Sequence, residues 1–208
     1  MVCLRILHHC EKSPFSKSSR SAALGLVKDE RGAALLEFAI ALPLLMVFVV
    51  GIYDFSGAFN QKQKIEQAAQ EGAIVTGAQP TSDLQSTSGN PDSLQAVETA
   101  VFNSLVGSGV LPNGACSPPG TVSTPTSLTW IYTISGCNGN TLTITINRGW
   151  VCGGAACPAG APVAVGTIVT VTYPYHWQFN RVIQLLIPGA TYAATTTLTE
   201  SATVHNQM

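Results

Sequence analysis

Ala33-Ala34-Leu35-Leu36-Glu37-Phe38-Ala39-Ile40-Ala41-Leu42-Pro43-Leu44-Leu45-Met46-Val47-Phe48-Val49-Val50-Gly51-Ile52-Tyr53 decides the fold. These 21 residues carry one charge, Glu37. As a helix they rise roughly 32 Å, enough to cross a hydrocarbon core of about 30 Å. Working outward, residues 1–32 hold six bases (Arg5, Lys12, Lys17, Arg20, Lys28, Arg31) and three acids, a net of +3. The remaining 176 residues hold four bases and eight acids, a net of −4. A basic flank before an apolar span keeps that flank in the cytoplasm and sends the rest of the chain across the membrane. The acidic remainder excludes nucleic acid as a partner, since that needs a basic surface.

Residues 1–32 show no periodicity, and Pro14 with Ser16, Ser18, Ser19 and Ser21 reads as a disordered leader. His8-His9-Cys10 lacks the further ligands that a metal site needs. A cleavable secretory signal fits poorly: the basic region and the apolar run are both too long. The nearest approach to an A-x-A site is Ser56-Gly57-Ala58.

Past Tyr53 the helical pattern continues. Phe55, Phe59, Ile65, Ala68, Ala69, Gly72 and Ala73 form an apolar stripe, with Lys62, Lys64, Glu66, Gln67, Gln70 and Glu71 on the other face. Gly77 and Pro80 end the helix. From Ala33 to Thr76 it would be about 66 Å long if straight. Pro43 lacks an N–H and crowds the carbonyl of Ala39, so a kink or local loosening is expected; use of that kink in packing is the preferred reading, against a proline merely tolerated in a membrane helix. Gly51 and Gly57 are not spaced as a G-x-x-x-G pair.

Residues 77–91 are loop. Asn90 as N-cap and Pro91 in the first turn open a short helix whose face is Leu94, Val97, Val101, Phe102 and Leu105, ending near Gly107. Residues 107–126 again read as loop. From Ser127 the period becomes two: Leu128, Trp130, Tyr132 and Ile134 in one strand, and Leu142, Ile144 and Ile146 in the next. A hairpin loop, Ser135 to Asn140, joins them. Val163–Tyr173 and Thr191–Val204 supply a third and a fourth strand. The fold class is therefore α+β: a long N-terminal transmembrane and amphipathic helix, then a small antiparallel β-rich domain with one short extra helix. The divisions are a leader at 1–32, a transmembrane helix at 33–53, an amphipathic extension at 54–76 and an exported β-rich domain at 77–208.

Cys3 and Cys10 lie in the leader and stay reduced. Cys116, Cys137, Cys152 and Cys157 lie beyond the span, where disulfides persist. Four cysteines allow three pairings, and sequence does not choose among them. Cys116–Cys137 with Cys152–Cys157 is the working expectation. A zinc site is the rival, but intervals of 20, 14 and 4 residues lack tight C-x-x-C knuckles. Tyr173-Pro174-Tyr175-His176-Trp177 with Phe179 is either an exposed partner-binding patch or a strand end feeding the core. The Val182, Ile183, Leu186 run favours the core. No catalytic constellation, cofactor fingerprint or metal set stands at useful spacing, so the chain is not expected to be an enzyme and no cofactor is expected.

Glu37 needs a reason, because a carboxylate inside a span is costly and is usually functional and partnered. The bland alternative is an acid close enough to the cytoplasmic end to reach the headgroups. Arg31-Gly32-x-x-x-x-Glu37-Phe38-Ala39, with Pro43, Gly51 and Asp54-Phe55, resembles the TadE-like pseudopilins of the tight-adherence (Flp/Tad, type IVb-like) pilus system. The ending Thr199 to Val204 is similar as well. Flp pilins usually carry Glu-Tyr at the Glu37-Phe38 position and have almost no domain after the helix. Both departures fit the TadE-like branch.

The resemblance implies cutting between Gly32 and Ala33 by a membrane prepilin peptidase. Glu37 would then pair with the new α-amino group of a neighbouring subunit, with Phe38 and Pro43 in the assembly segment. The implied partners are the membrane, that peptidase, other pilins or pseudopilins and the pilus assembly platform. The implied location is a single-pass cytoplasmic (inner) membrane protein with its C-terminal domain periplasmic or extracellular. The alternative is a permanently anchored surface domain in which residues 77–208 bind a ligand or a cell surface.

Overall fold

In the computed structural model the described residues are 30–85, 89–126, 128–151, 165–179, 184, 189 and 195–206. The expectations for the leader, for Cys152–Cys157 and for Val182, Ile183 and Leu186 fall outside them. The chain divides into two units, Met1–Val47 and Phe48–Met208.

Helix α1 runs Glu30–Ala78, 49 residues, and stays helical through Pro43. It is long and apolar enough to cross a membrane. A 3₁₀ turn, Ser82–Gln85, leads to α2, Asp92–Gly107. Five strands come next: β1 Thr121–Thr126, β2 Thr129–Cys137, β3 Asn140–Val151, β4 Val165–His176 and β5 Thr195–His205. They form one antiparallel meander in the order β1-β2-β3-β4-β5.

The expected alternation places one face of the sheet inward. Trp130, Tyr132 and Ile134 on β2 stand opposite Ile146, Ile144 and Leu142 on β3, and Val169 and Val171 on β4 continue the rows. Ile65, Ala68, Ala69 and Ala73 of α1 cover that face together with Leu94, Val97, Val101, Phe102 and Leu105 of α2. Small residues let α1 come close. A Cβ on Gly72 would run into the side chain of Val101 and lie 3.2 Å from Val169.

The turn between β2 and β3 is tighter than the loop expected over 135–140. Only Asn138 and Gly139 separate the strands, both at positive φ (57° and 79°). That is the two-residue turn whose twist matches a hairpin, and Asn-Gly is the pair that tolerates it. Strand β4 runs on to His176, and β5 to His205.

Four expectations need correcting. The sheet has five strands rather than four, because part of the loop expected at 107–126 is β1. β1 contains Pro125, as an edge strand can, and among its described side chains Val122 alone packs on the core, so its sequence carries no alternating strand signal. The apolar stripe of α1 does not begin with Phe55 and Phe59, which are exposed; Asp54 and Ala58 are buried instead. At 100° per residue, positions 54, 58, 61 and 65 align along the face that meets the sheet, and 55 and 59 fall beside it. Asn90 does not cap α2 and Pro91 is not its first helical residue. Pro91 is itself the N-cap, and Asp83 accepts from the Ser93 N–H (2.9 Å) and the Ser93 hydroxyl (3.0 Å). Asn90 is turned to Tyr132, whose hydroxyl donates to its Oδ1 at 2.9 Å.

Candidate functional site

The residues of the sequence motif lie on the first part of α1. Gly32, Ala33, Glu37, Phe38 and Pro43 are all exposed, as are the apolar residues among them, including Leu36, Ile40 and Leu45. Ala33 and Glu37 are one turn apart, so they share a helix face. A continuous apolar surface of this kind has no reason to face water and marks a partner or membrane surface.

A second carboxylate on the same helix is in the opposite condition. Asp54 is 2% exposed. Its Oδ1 accepts from the Tyr175 hydroxyl (2.9 Å) and the Gln178 N–H (3.2 Å), and its Oδ2 accepts from the Phe179 N–H (2.7 Å). The Tyr175 hydroxyl also lies 3.1 Å from the Asp54 carbonyl oxygen. Burial, then the Asp54 hydrogen bond and charge, push the Tyr175 phenol up to about 12, so it stays a donor at any physiological pH. Asp54 thus ties the end of β4 to α1. Gly57 keeps the approach open, since a Cβ there would sit 2.8 Å from the Tyr175 hydroxyl.

The aromatic cluster at 173–179 is built around this tie. Tyr173 is buried and donates to the Cys137 carbonyl at 3.1 Å. The Tyr175 and Trp177 rings meet edge to face at 5.1 Å. Trp177 Nε1 donates to the Thr196 hydroxyl at 2.7 Å, and His176 Nε2 lies 2.8 Å from Asn140 Oδ1. The packed alternative therefore holds for Tyr173, and the rest are pinned in place. A cleft of about 420 Å³ remains, lined by Gly51, Asp54, Phe55, Trp177 and Phe179. The sequence shows the two halves of this site separately, as an acid with Phe55 directly after an apolar span and as the aromatic cluster at 173–179, but not that they meet.

The other buried charges among the described residues are structural. Arg148 donates to the carbonyls of Pro80 (3.2 Å) and Gln79 (3.1 Å), just past the end of α1, where a cation suits the exposed carbonyls. Its guanidinium is held below the usual arginine range by burial, against the field of Asp83. Burial raises Glu98, and the Gly120 N–H at 2.6 Å offsets part of that. Cys116 and Cys137 form a disulfide that ties the stretch after α2 to the end of β2.

Residues 32–73 match the family model described as TadE-like protein. The match begins at Gly32 within the motif, takes in most of the packed part of α1, and stops before α2 and the sheet. No curated protein and no solved structure matches the chain.

Proposed function

We propose, from that match, that this chain is a non-enzymatic minor pilin or pseudopilin of a Flp/Tad-type pilus. A prepilin peptidase cuts it after Gly32, and Glu37 guides its assembly. Before cutting, residues 33–53 cross the cytoplasmic membrane with the basic leader inside and the β-rich domain outside. The Cys116–Cys137 disulfide agrees with an oxidising exterior.

One observation carries the reading: an exposed acid on an otherwise uncharged helix surface that begins at Gly32. After cleavage the Ala33 amine and the Glu37 carboxylate are the two charges in that segment. In lipid, opposite charges are each other's best partners, and pairing offsets part of the desolvation cost. An amine on one subunit and a carboxylate on the next would set their register. Pro43 loosens the helix for packing, and Phe38 fills the adjoining face.

The test is Glu37→Ala in a pilus-forming host, read as the amount of protein in sheared surface fibres. Losing a pairing worth even about 1.4 kcal/mol lowers incorporation about tenfold. Membrane level and disulfide content should not change. Unchanged incorporation would instead favour the permanently anchored surface domain.

A further inference from the structure

We infer that Tyr53, Phe55, Phe59, Trp177 and Phe179 form a collar that seats the folded domain in the headgroup layer of the bilayer, and that Asp54 is its positioning residue. The inference rests on residues 33–53 crossing a membrane and adds how the domain is held against it.

Three of these rings stand out from α1 where no described part of the domain covers them: Tyr53 is 75%, Phe55 68% and Phe59 55% exposed. From Tyr53 to Phe59 the helix rises about 9 Å, close to the thickness of one headgroup layer. Aromatic side chains gather at that depth because one part of the ring is apolar and its edge or polar atom tolerates water.

The charge pattern sets the same limits. Between Glu37 and Lys62 the only charged residue is Asp54. Its carboxylate is buried and takes three donors, so it does not meet lipid unpaired. Lys62 and Lys64 lie about one turn above Phe59, at a height suited to phosphate and water.

Trp177 and Phe179 come from a distant part of the chain and reach this level through Asp54. The N–H groups of Gln178 and Phe179 bind its two oxygens, and the cleft beneath is shared by Gly51, Phe55, Trp177 and Phe179. Trp177 Nε1 is satisfied by Thr196, so its ring can enter the interface without carrying an unpaired donor. The occupant that fits an open, apolar cleft at this height is the upper part of a phospholipid acyl chain.

The test uses the full chain in phosphatidylcholine vesicles brominated either just below the glycerol or near the bilayer midplane. Tryptophan emission of the wild type minus that of Trp177→Phe isolates Trp177. Shallow bromine should quench this difference about twofold more than deep bromine. Asp54→Ala should lose most of the shallow quenching while the protein keeps its Cys116–Cys137 disulfide and resists alkaline extraction. No quenching of Trp177 by either lipid, in protein that resists extraction, overturns the collar and leaves the span standing. Protein extracted by alkali overturns both.

Discussion

Two stretches of α1 face opposite conditions. Over residues 33–47 every side chain is exposed, and most are large and apolar. Over residues 54–77, one face in each turn is buried against β-strands and α2. Each stretch carries one notable acid. Glu37 is exposed, whereas Asp54 is enclosed by a phenol and two backbone donors. Helix propensity does not separate the two stretches. The difference is the partner: the second stretch packs on residues of its own domain, and the first presents an apolar surface that no described residue covers. A carboxylate already holding three donors stabilises the fold. An exposed carboxylate on an apolar surface is available to another molecule.

The sharpest way to break this comparison is to make the same deletion in both stretches. Ile65→Ala empties a fully buried position and should cost about 3 kcal/mol in denaturant unfolding of the detergent-solubilised protein. Ile40→Ala should stay within about 0.5 kcal/mol in the same assay. Equal losses would mean that the first stretch has a fold partner of its own. Removing the Cys116–Cys137 bridge, which spans 21 residues, should cost about 3 kcal/mol by chain entropy, read from the shift in the unfolding midpoint. Asp54→Ala leaves the Gln178 and Phe179 N–H groups without their acceptor and should cost about 2 kcal/mol. Glu37→Ala should leave the unfolding midpoint unchanged.

A smaller effect sharpens the contrast through pH. Burial raises the Glu98 pKa above its ordinary 4.5, with Gly120 pulling weakly the other way. The native state therefore holds this proton more tightly than the unfolded chain. Its contribution to stability is greatest in acid and falls as pH rises through the interval above 4.5. Asp83 acts in the opposite sense. Burial would raise its pKa, but the hydrogen bonds from Ser93, with the field of Arg148, bring it below 3.8. Its contribution is present above 3.8 and is lost as pH falls below it. Glu98→Gln should flatten the decline above 4.5 in a plot of unfolding midpoint against pH and leave the acid limb in place. Small as well is Lys62→Ala, which breaks a half-exposed pair with Glu200 at 3.3 Å and should cost no more than about 0.5 kcal/mol.

The helices and the three inner strands were legible because their signals are periodic and local. Leu94, Val97, Val101 and Leu105 spell a helix face, and Trp130, Tyr132 and Ile134 spell a strand face. Cys116–Cys137 also agreed with the working pairing. What escaped depends on contacts between distant residues. Strand β1 has one core residue and a proline, so its pattern carries no alternation; β2 makes it a strand by pairing with it. Asp83 caps α2 from ten residues away, which no local capping rule can show. Asp54 looked like one more residue of a motif, because Tyr175, Gln178 and Phe179 lie more than 120 positions further on. The Gly32–Glu37 block shows the converse. Its residues were legible from spacing alone, yet they are exposed on α1, and no contact within the described residues explains them.

The most direct test of the central claim is the N-terminus of the protein extracted from the membranes of its native host, read by mass spectrometry. A chain beginning at Ala33 is the predicted result. An intact leader, or a start at any other residue, would contradict it.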